Sequence, residues 1–269
     1  MSRRLQALIF DCDGTLADTE EVHRQAFNLA FTAAGLGWHW TPEDYASLLV
    51  VSGGRERISG FARRVAPSEA AAPGFDEFVV RLHEDKTRRY AQLLQDGHVG
   101  LRPGVERLLQ EARREGMTLA IATSSAWSNL KTLLDANLPR EWPSWFNAIE
   151  TADTVEMKKP SPAIYISVLR RLGLPAQRCI ALEDTENGLR AASAAGIGTV
   201  ITPHRYTLGG HFDEALAVLG SLGDPTHPAE VIAGPPVDGT LIDLHYMARL
   251  LEPVPDIVPR ERQGELRYG

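Results

Sequence analysis

The chain has few cysteines, no long hydrophobic run and no stripe of positive charge. Its 269 residues include only Cys12 and Cys179, each beside an apolar run, so reduced thiols in or near a core fit better than a disulfide framework. The formal charge of −7, with scattered Lys and Arg, leaves no electrostatic footprint for nucleic acid. We therefore expect a small-molecule partner, no nucleic-acid partner and a reducing compartment.

The N-terminus enters an apolar run, Leu5–Phe10, directly after two arginines. This pattern fits neither a signal peptide nor a membrane span, and no other segment fits better. We expect no membrane partner and a monomer in the cytoplasm; an organelle stroma would apply if a transit peptide had been removed. The length suits one large domain, or a core domain that carries a smaller insert.

Short apolar runs that end in polar or acidic residues recur along the chain and are typical of buried parallel strands. They are Leu5–Phe10, Thr118–Ala122, Ala148–Ile149, Cys179–Leu182 and Thr199–Ile201. Helix-length segments, each closed by a glycine, lie between the later runs: Pro103–Glu115, Ser161–Leu172 and Asn187–Ala195. The alternation predicts an α/β fold, with a doubly wound, mainly parallel Rossmann-like core sheet that helices cover on both faces.

The interval 19–97 breaks that alternation. Its apolar residues follow an amphipathic helical pattern, for example at Val22–Leu29 and Phe78–His83, and it contains no convincing strand. After Asp224 the chain becomes rich in Pro and Gly, with one helical run near Thr240–Leu251. We predict an α/β catalytic core at 1–18 and 98–224, an inserted helical cap domain at 19–97, and a C-terminal appendage at 225–269.

Polar side chains follow the predicted strands at the edge where ligands bind in open α/β sheets. They are Asp11-Cys12-Asp13 after the first run, Thr123-Ser124-Ser125 after the second, Lys158-Lys159-Pro160 after the third and Glu183-Asp184 after the fourth. Each group alone is common in turns and helix caps. Together they form a constellation that one sheet edge can collect, which predicts a functional site.

The chemistry of this constellation favours phosphate and a divalent cation. Two aspartates at i and i+2 would repel each other, and bound Mg²⁺ resolves that conflict because it prefers oxygen ligands. Glu183 and Asp184, which arrive from another strand, would complete the acidic site. Lys159 and the hydroxyl of Thr123 would hold phosphoryl oxygens.

These segments resemble the motifs of the haloacid dehalogenase superfamily of phosphohydrolases and phosphomutases. The first motif is similar to Asp11–Leu16, the second to Thr123, the third to Lys159, and the fourth to Glu183-Asp184 with Thr185 and Asn187–Leu189. The helical insert resembles the cap of the branch that contains beta-phosphoglucomutase and CbbY-type sugar-phosphate phosphatases. The resemblance covers roughly residues 4–222.

The resemblance implies a role for each core residue. Asp11 attacks phosphorus, and Asp13 protonates the leaving alcohol and then deprotonates the water that hydrolyses the phosphoaspartate. Mg²⁺ is held by the side chains of Asp11 and Asp184 and the backbone carbonyl of Asp13, with Glu183 helping indirectly or through water. Phosphoryl transfer depends mainly on in-line positioning and charge neutralisation, for which Mg²⁺ and Lys159 are suited, while a second carboxyl serves as proton shuttle.

The cap is expected to close over the sheet edge and bind the rest of the substrate. The candidate substrate-binding residues are Glu20, His23, Gly53, Gly54, Arg55 and Lys86, together with Ser124 and Ser125 of the core. Arg55 and Lys86, facing a site built for one phosphate, suggest a second anionic group, as in a sugar bisphosphate. Arg55 stands where CbbY-type loops usually have lysine, so a planar guanidinium with several donors replaces a compact ammonium. We interpret Arg57 as structural.

Four functions were weighed on these residues. We predict a phosphatase that acts on a small phosphorylated sugar, and the most specific form of this prediction is xylulose 1,5-bisphosphate as substrate. A phosphomutase of the beta-phosphoglucomutase type uses the same core residues and remains an alternative. A dehalogenase is disfavoured because halide displacement has no use for the Mg²⁺-binding carboxylates or for Asp13. A phospho-accepting receiver module is disfavoured because such modules have no counterpart of Asp13 and no long cap. The later segment Asp238–Leu241 imitates the first motif, but Pro236 stands where its nucleophile would be.

Overall fold

The computed structural model describes residues 5–97 and 99–252 and contains a seven-stranded sheet. Its strands are β1 (Ala7–Phe10), β2 (Thr118–Ala122), β3 (Ala148–Glu150), β4 (Cys179–Glu183), β5 (Gly198–Ile201), β6 (Ala217–Leu219) and β7 (Val231–Ala233). They lie in the order β3-β2-β1-β4-β5-β6-β7, and every neighbouring pair is parallel except β6 with β7. The mainly parallel α/β sheet that we predicted is confirmed. Residues 1–4, 98 and 253–269, which belong to the predicted core and appendage, lie outside the described residues.

Helices alternate with the strands from β2 to β5, whereas several helices follow one another between β1 and β2. In chain order they are α1 (Glu20–Ala33), α2 (Pro42–Leu48), α3 (Gly54–Val65), α4 (Pro67–Ala70), α5 (Phe75–Gly97), α6 (Val105–Arg114), α7 (Trp127–Asn137), α8 (Ala163–Leu172), α9 (Glu186–Ala194) and α10 (Leu244–Arg249). Within the described ranges, no helix has the length and hydropathy needed to cross a membrane.

Strand β1 is buried on both of its faces because helices pack on each side of the sheet. Leu8 and Phe10 join an apolar cluster with α6 and α7, whereas the alternate residues Ala7 and Ile9 join one with α8 and α9. β1 pairs with β2 on one side and β4 on the other. The carboxyl ends of these three strands therefore lie side by side, which places the residues that follow them at one edge.

Helices α1 to α5, which we call the helical segment, have an apolar core of their own. Its centre is aromatic: the Phe27 and Trp40 rings lie 4.6 Å apart, and Tyr45 lies in the same cluster. Phe27 and Phe31 are four positions apart on α1, so both project from one helix face. This core is distinct from the two clusters that flank β1, although Ala26, Tyr90 and Leu94 of α1 and α5 join the first of them.

The stretch after Asp224, which we set apart as an appendage, is joined to the sheet over its described part. β7 pairs with β6 in antiparallel orientation, and α10 lies within the predicted helical run. Tyr246 and Met247 of α10 are buried in the same apolar cluster as Leu8 of β1. β6 and β7, of three residues each, were absent from our sequence prediction; β7 is largely exposed and so lacks the buried apolar run by which the other strands were predicted.

Candidate active site

The turn after β1 places two aspartates at the sheet edge. Asp11 directly follows the strand, and its N–H donates to the Leu182 carbonyl at 2.9 Å. Gly14 has φ of 84° and donates from its N–H to the Ala17 carbonyl at 2.8 Å, which turns the chain sharply away from the sheet. The side chains of Asp11 and Asp13 consequently both line one cavity.

We expect Gly14→Ala to destabilise the fold by more than strain alone would. A Cβ at Gly14 would lie 2.3 Å from Asp184 Oδ2, whereas one at Gly35, which also has positive φ, would meet nothing within 4 Å. Left-handed strain costs roughly 1–2 kcal/mol at either glycine, and the collision adds a similar amount at Gly14. Urea unfolding of Gly14→Ala and the matched control Gly35→Ala measures the difference. Equal losses in the two variants would contradict this reasoning.

Lys159 joins the acidic groups of two strand ends. Its ammonium donates to Asp11 Oδ1 at 2.6 Å, to the Ala122 carbonyl at 2.8 Å and to Glu183 Oε1, which also accepts from the Tyr165 hydroxyl. Burial alone would lower the pKa of Lys159, but the adjacent carboxylates of Asp11 and Glu183 outweigh it and raise that pKa above its usual range. The ammonium is therefore retained beside Asp11.

Three buried carboxyls form a site with the donor chemistry of a hard divalent cation. Oxygens of Asp11, Glu183 and Asp184 lie within 4.8 Å of one another. Burial raises the pKa of Asp11 to about 8, although Lys159 opposes the shift, and burial raises the pKa of Asp184 to about 6. Burial and crowding thus disfavour the anionic forms of these carboxyls, and a bound cation would favour them; an all-oxygen donor set suits Mg²⁺. The residues present fit that ion.

His204 approaches the same acidic group and was not among our predicted site residues. Its Nε2 lies 3.0 Å from Asp184 Oδ2, and the Thr15 hydroxyl donates to Asp184 Oδ1 at 3.2 Å. Burial would lower the pKa of His204, but its hydrogen bond to Asp184 raises it. His204 lies three residues after the end of β5, so inspecting the residues that follow Thr199–Ile201 would have found it.

The Asp13 side chain is held in place by hydrogen bonds from neighbouring side chains. Its carboxylate accepts from the Thr19 hydroxyl at 2.6 Å and from the Ser125 hydroxyl, and it lies 3.1 Å from His23 Nε2. Burial would raise the pKa of Asp13, but His23 and these hydroxyls hold it below its usual range. A second carboxylate is thus fixed beside Asp11 in a defined direction.

Lys86 supports His23 from α5. Its Nζ lies 2.6 Å from His23 Nδ1, so the ammonium donates to that nitrogen and the other ring nitrogen can donate to Asp13. The His23 ring stacks on Tyr90 with centroids 4.0 Å apart. Burial lowers the pKa of Lys86 to about 7. The helical segment therefore reaches Asp13 through a fixed Lys86–His23 pair.

A cavity of about 220 Å³ lies between the strand ends and helices α1, α3 and α5. The structure brings all the predicted site residues to its lining: Asp11, Asp13, Glu20, His23, Gly53, Gly54, Arg55, Lys86, Thr123, Ser124, Ser125, Lys159, Glu183 and Asp184. The residues implicated in chemistry come from the strand ends, and most of the candidate substrate-binding residues come from the helices. The cavity thus has a reactive side and a helical side.

Arg57, which we interpreted as structural, also lines the cavity. It donates to the Tyr45 hydroxyl at 2.9 Å, and that hydroxyl donates to Glu20 Oε2 at 2.6 Å. The Nε of Arg57 is buried and has no hydrogen-bond partner among the described residues. Arg57 therefore makes the structural contact that we predicted, to Tyr45 of α2, and it also lines the cavity, which we did not predict.

Comparison with known proteins agrees with this geometry. The family model for haloacid dehalogenase-like hydrolases matches residues 5–196. CbbY of Cupriavidus necator is 50% identical over 224 residues, which cover 83% of this chain and 88% of that protein. A phosphorylated carbohydrates phosphatase of Thermotoga maritima is 29% identical over 72% of this chain and 82% of its own length.

A solved structure extends the likeness to three dimensions. Mutant CbbY of Rhodobacter sphaeroides in complex with xylulose 1,5-bisphosphate has a TM-score of 0.75 and 41% sequence identity, with 82% of this chain and 98% of that chain covered. The chain therefore belongs to the haloacid dehalogenase-like hydrolase family, in which it is a CbbY-like phosphatase.

Proposed function

We propose that this phosphatase removes a phosphoryl group from a small phosphorylated sugar, with Asp11 as the nucleophile and Mg²⁺ as the cofactor. The observation that carries the proposal is the position of Asp11, whose Oδ1 lies 2.6 Å from the Lys159 ammonium and whose carboxyl adjoins Glu183 and Asp184. A nucleophilic carboxylate needs nearby positive charge when an anionic phosphoryl group approaches it. Lys159 supplies one such charge from the protein itself.

In the proposed reaction Asp13 takes up a proton as the anionic substrate binds beside it. Asp11 then attacks phosphorus and the bond from phosphorus to the sugar oxygen breaks, while Asp13 gives that proton to the oxygen. A water then attacks the aspartyl phosphate and loses its proton to Asp13, which releases phosphate and restores Asp11. Mg²⁺, held by the side chains of Asp11 and Asp184 and the backbone carbonyl of Asp13, would neutralise phosphoryl charge when bound. Thr19, His23 and Ser125 orient Asp13 for both proton transfers.

We propose that the helical segment, taken as residues 19–97, acts as a cap over a core of residues 1–18 and 98–224. Contacts between the two support this division of labour. Lys158, next to Lys159, pairs with Glu56 of α3 at 2.6 Å, and Asn187 donates to the Val50 carbonyl at 3.0 Å. Closure of this kind excludes bulk water from an aspartyl phosphate.

The proposed substrate is a sugar bisphosphate. CbbY of Rhodobacter sphaeroides has been solved with xylulose 1,5-bisphosphate. In the present chain, besides Lys159 and the Glu56-paired Lys158, three cationic side chains line the cavity: Arg55, Arg57 and Lys86. One phosphoryl group at Asp11 would not use all of this charge, which supports a second anionic group. The proposal includes a monomer in a reducing cytoplasm, where Cys12 and Cys179 would stay free and buried.

Metal removal and a substrate panel test this proposal together. With Mg²⁺ we expect phosphate release from ketose bisphosphates and, more slowly, from p-nitrophenyl phosphate, because the cavity offers contacts that only a phosphosugar can use. EDTA should abolish release and excess Mg²⁺ should restore it, as followed by a phosphate assay. Undiminished release in EDTA would rule out the metal requirement. Conversion of glucose 1-phosphate into glucose 6-phosphate without net phosphate release would favour the phosphomutase alternative.

A further inference from the structure

We propose that His83 is a specificity residue whose imidazole hydrogen-bonds an oxygen of the sugar that leaves as the alcohol. This inference rests on the proposed sugar-phosphate phosphatase function and deepens it. His83 lies on α5 three positions before Lys86, so the two side chains share one helix face, and both line the cavity. His83 was not among the residues selected from the sequence.

The His83 ring has polar capacity that the protein does not use. Neither ring nitrogen has a hydrogen-bond partner among residues 5–97 and 99–252, although the side chain is partly buried at the cavity wall. A neutral imidazole carries one donor and one acceptor, and a partly buried polar group without a partner is unfavourable unless a ligand or water satisfies it. Neither nitrogen is among the fully buried polar atoms without a partner, so the ring reaches the cavity and is available to a polar atom of the bound substrate.

The surroundings of the ring keep it neutral. Burial, together with the positive charges of Lys86, Arg55 and Lys158, lowers the pKa of His83 to about 3, while Glu56 opposes the shift. A neutral ring can both donate to and accept from a sugar hydroxyl, which the surrounding cations cannot do because they only donate. His83 thus places a hydrogen-bond acceptor among the cations Lys86, Arg55 and Lys158.

Gly54 makes room for this ring. A Cβ at Gly54 would lie 2.4 Å from His83 Nε2 and 3.3 Å from the end of the Phe27 ring. Gly54 is the first residue of α3 and its φ is not in the left-handed region, so the backbone there would accept alanine. Glycine at position 54 is therefore required to leave space for the His83 ring, and the backbone conformation does not require it.

The test compares two esters hydrolysed by the full-length enzyme. The first is the panel phosphosugar that the wild type hydrolyses most efficiently, and the second is p-nitrophenyl phosphate, whose leaving group has no sugar hydroxyl. His83→Ala should lower kcat/KM on the phosphosugar about tenfold more than on p-nitrophenyl phosphate, the effect of one lost hydrogen bond. His83→Asn, which keeps a donor and an acceptor, should recover part of the loss. His39→Asn, at an exposed histidine, is the matched control and should leave kcat/KM unchanged for both esters.

A second variant separates binding from packing. Gly54→Ala should reduce the same ratio of kcat/KM values in the wild type and add little in the His83→Ala background, because the ring it would displace is already gone. If His83→Ala lowers both esters equally, or if the two substitutions are additive, His83 is a packing residue and the inference is overturned. Release by Asp11→Asn, or no hydrolysis of any phosphosugar by the wild type, would instead overturn the proposed function itself.

Discussion

Replacing Asp11 with asparagine is expected to abolish turnover. The amide has the shape of the carboxyl but cannot form an aspartyl phosphate, so kcat should fall by at least about 10³-fold. Lys159 would keep its hydrogen bonds to Glu183 and to the Ala122 carbonyl, so the fold should persist. Phosphate release measures the first effect, and circular dichroism with thermal melting checks the second.

The covalent intermediate offers a more direct test of Asp11. Brief mixing of the wild type with substrate followed by acid quenching should yield a phosphorylated peptide that contains Asp11, and Asp11→Asn should yield none. Asp213→Asn is the matched control, since Asp213 is exposed and lies outside the cavity of the proposed site. Phosphate release by Asp11→Asn near the wild-type rate would eliminate Asp11 as the nucleophile.

Lys159→Met is expected to damage both activity and stability. Lys159 is buried, and its ammonium is shared by Asp11 and Glu183. Methionine fills similar space but leaves two buried carboxyls without their cation, which costs on the order of 3–5 kcal/mol in the free energy of unfolding unless one of them takes up a proton. Loss of the charge beside the phosphoryl group should also lower kcat by about 10²–10³-fold. Urea unfolding and steady-state kinetics measure the two effects.

An exposed lysine shows what is special about Lys159. Lys131→Met breaks an ion pair with Asp135 on the surface of α7, where both side chains are about half exposed. Such pairs contribute about 0–1 kcal/mol, so this variant should unfold nearly as the wild type does. If Lys159→Met were equally mild in stability, the buried carboxyls would have to be satisfied by other groups and the proposed charge balance would be wrong.

The residues on the reactive side of the cavity were predictable because they follow the ends of parallel strands. Once the apolar runs indicate parallel strands, Asp11, Thr123 and Glu183 must lie near one another, whatever the details of packing. His204 obeys the same rule and was missed only because the search stopped at the fourth run. β6 and β7 were not predicted; β7 is largely exposed, so it offered no buried apolar run in the sequence.

The helical side of the cavity was less predictable for a physical reason. An amphipathic pattern shows which face of a helix is apolar, but it does not show which polar residue at the border of that face turns toward a ligand. Lys86 was selected for its charge, whereas Arg57 was interpreted as structural and His83 was not considered. Their positions depend on how α2, α3 and α5 pack around Phe27 and Tyr45, which only three-dimensional contacts reveal.

Strand β7 limits the growth of the sheet beyond β6. An uncovered β6 would present a row of free N–H and C=O groups, and a second copy of the chain could extend the sheet there. β7 occupies that edge, and after its three residues the chain continues as Gly234-Pro235-Pro236, where the prolines have no N–H to offer a further strand. β7 thus covers the edge of β6, and the prolines that follow it limit the new edge to three residues.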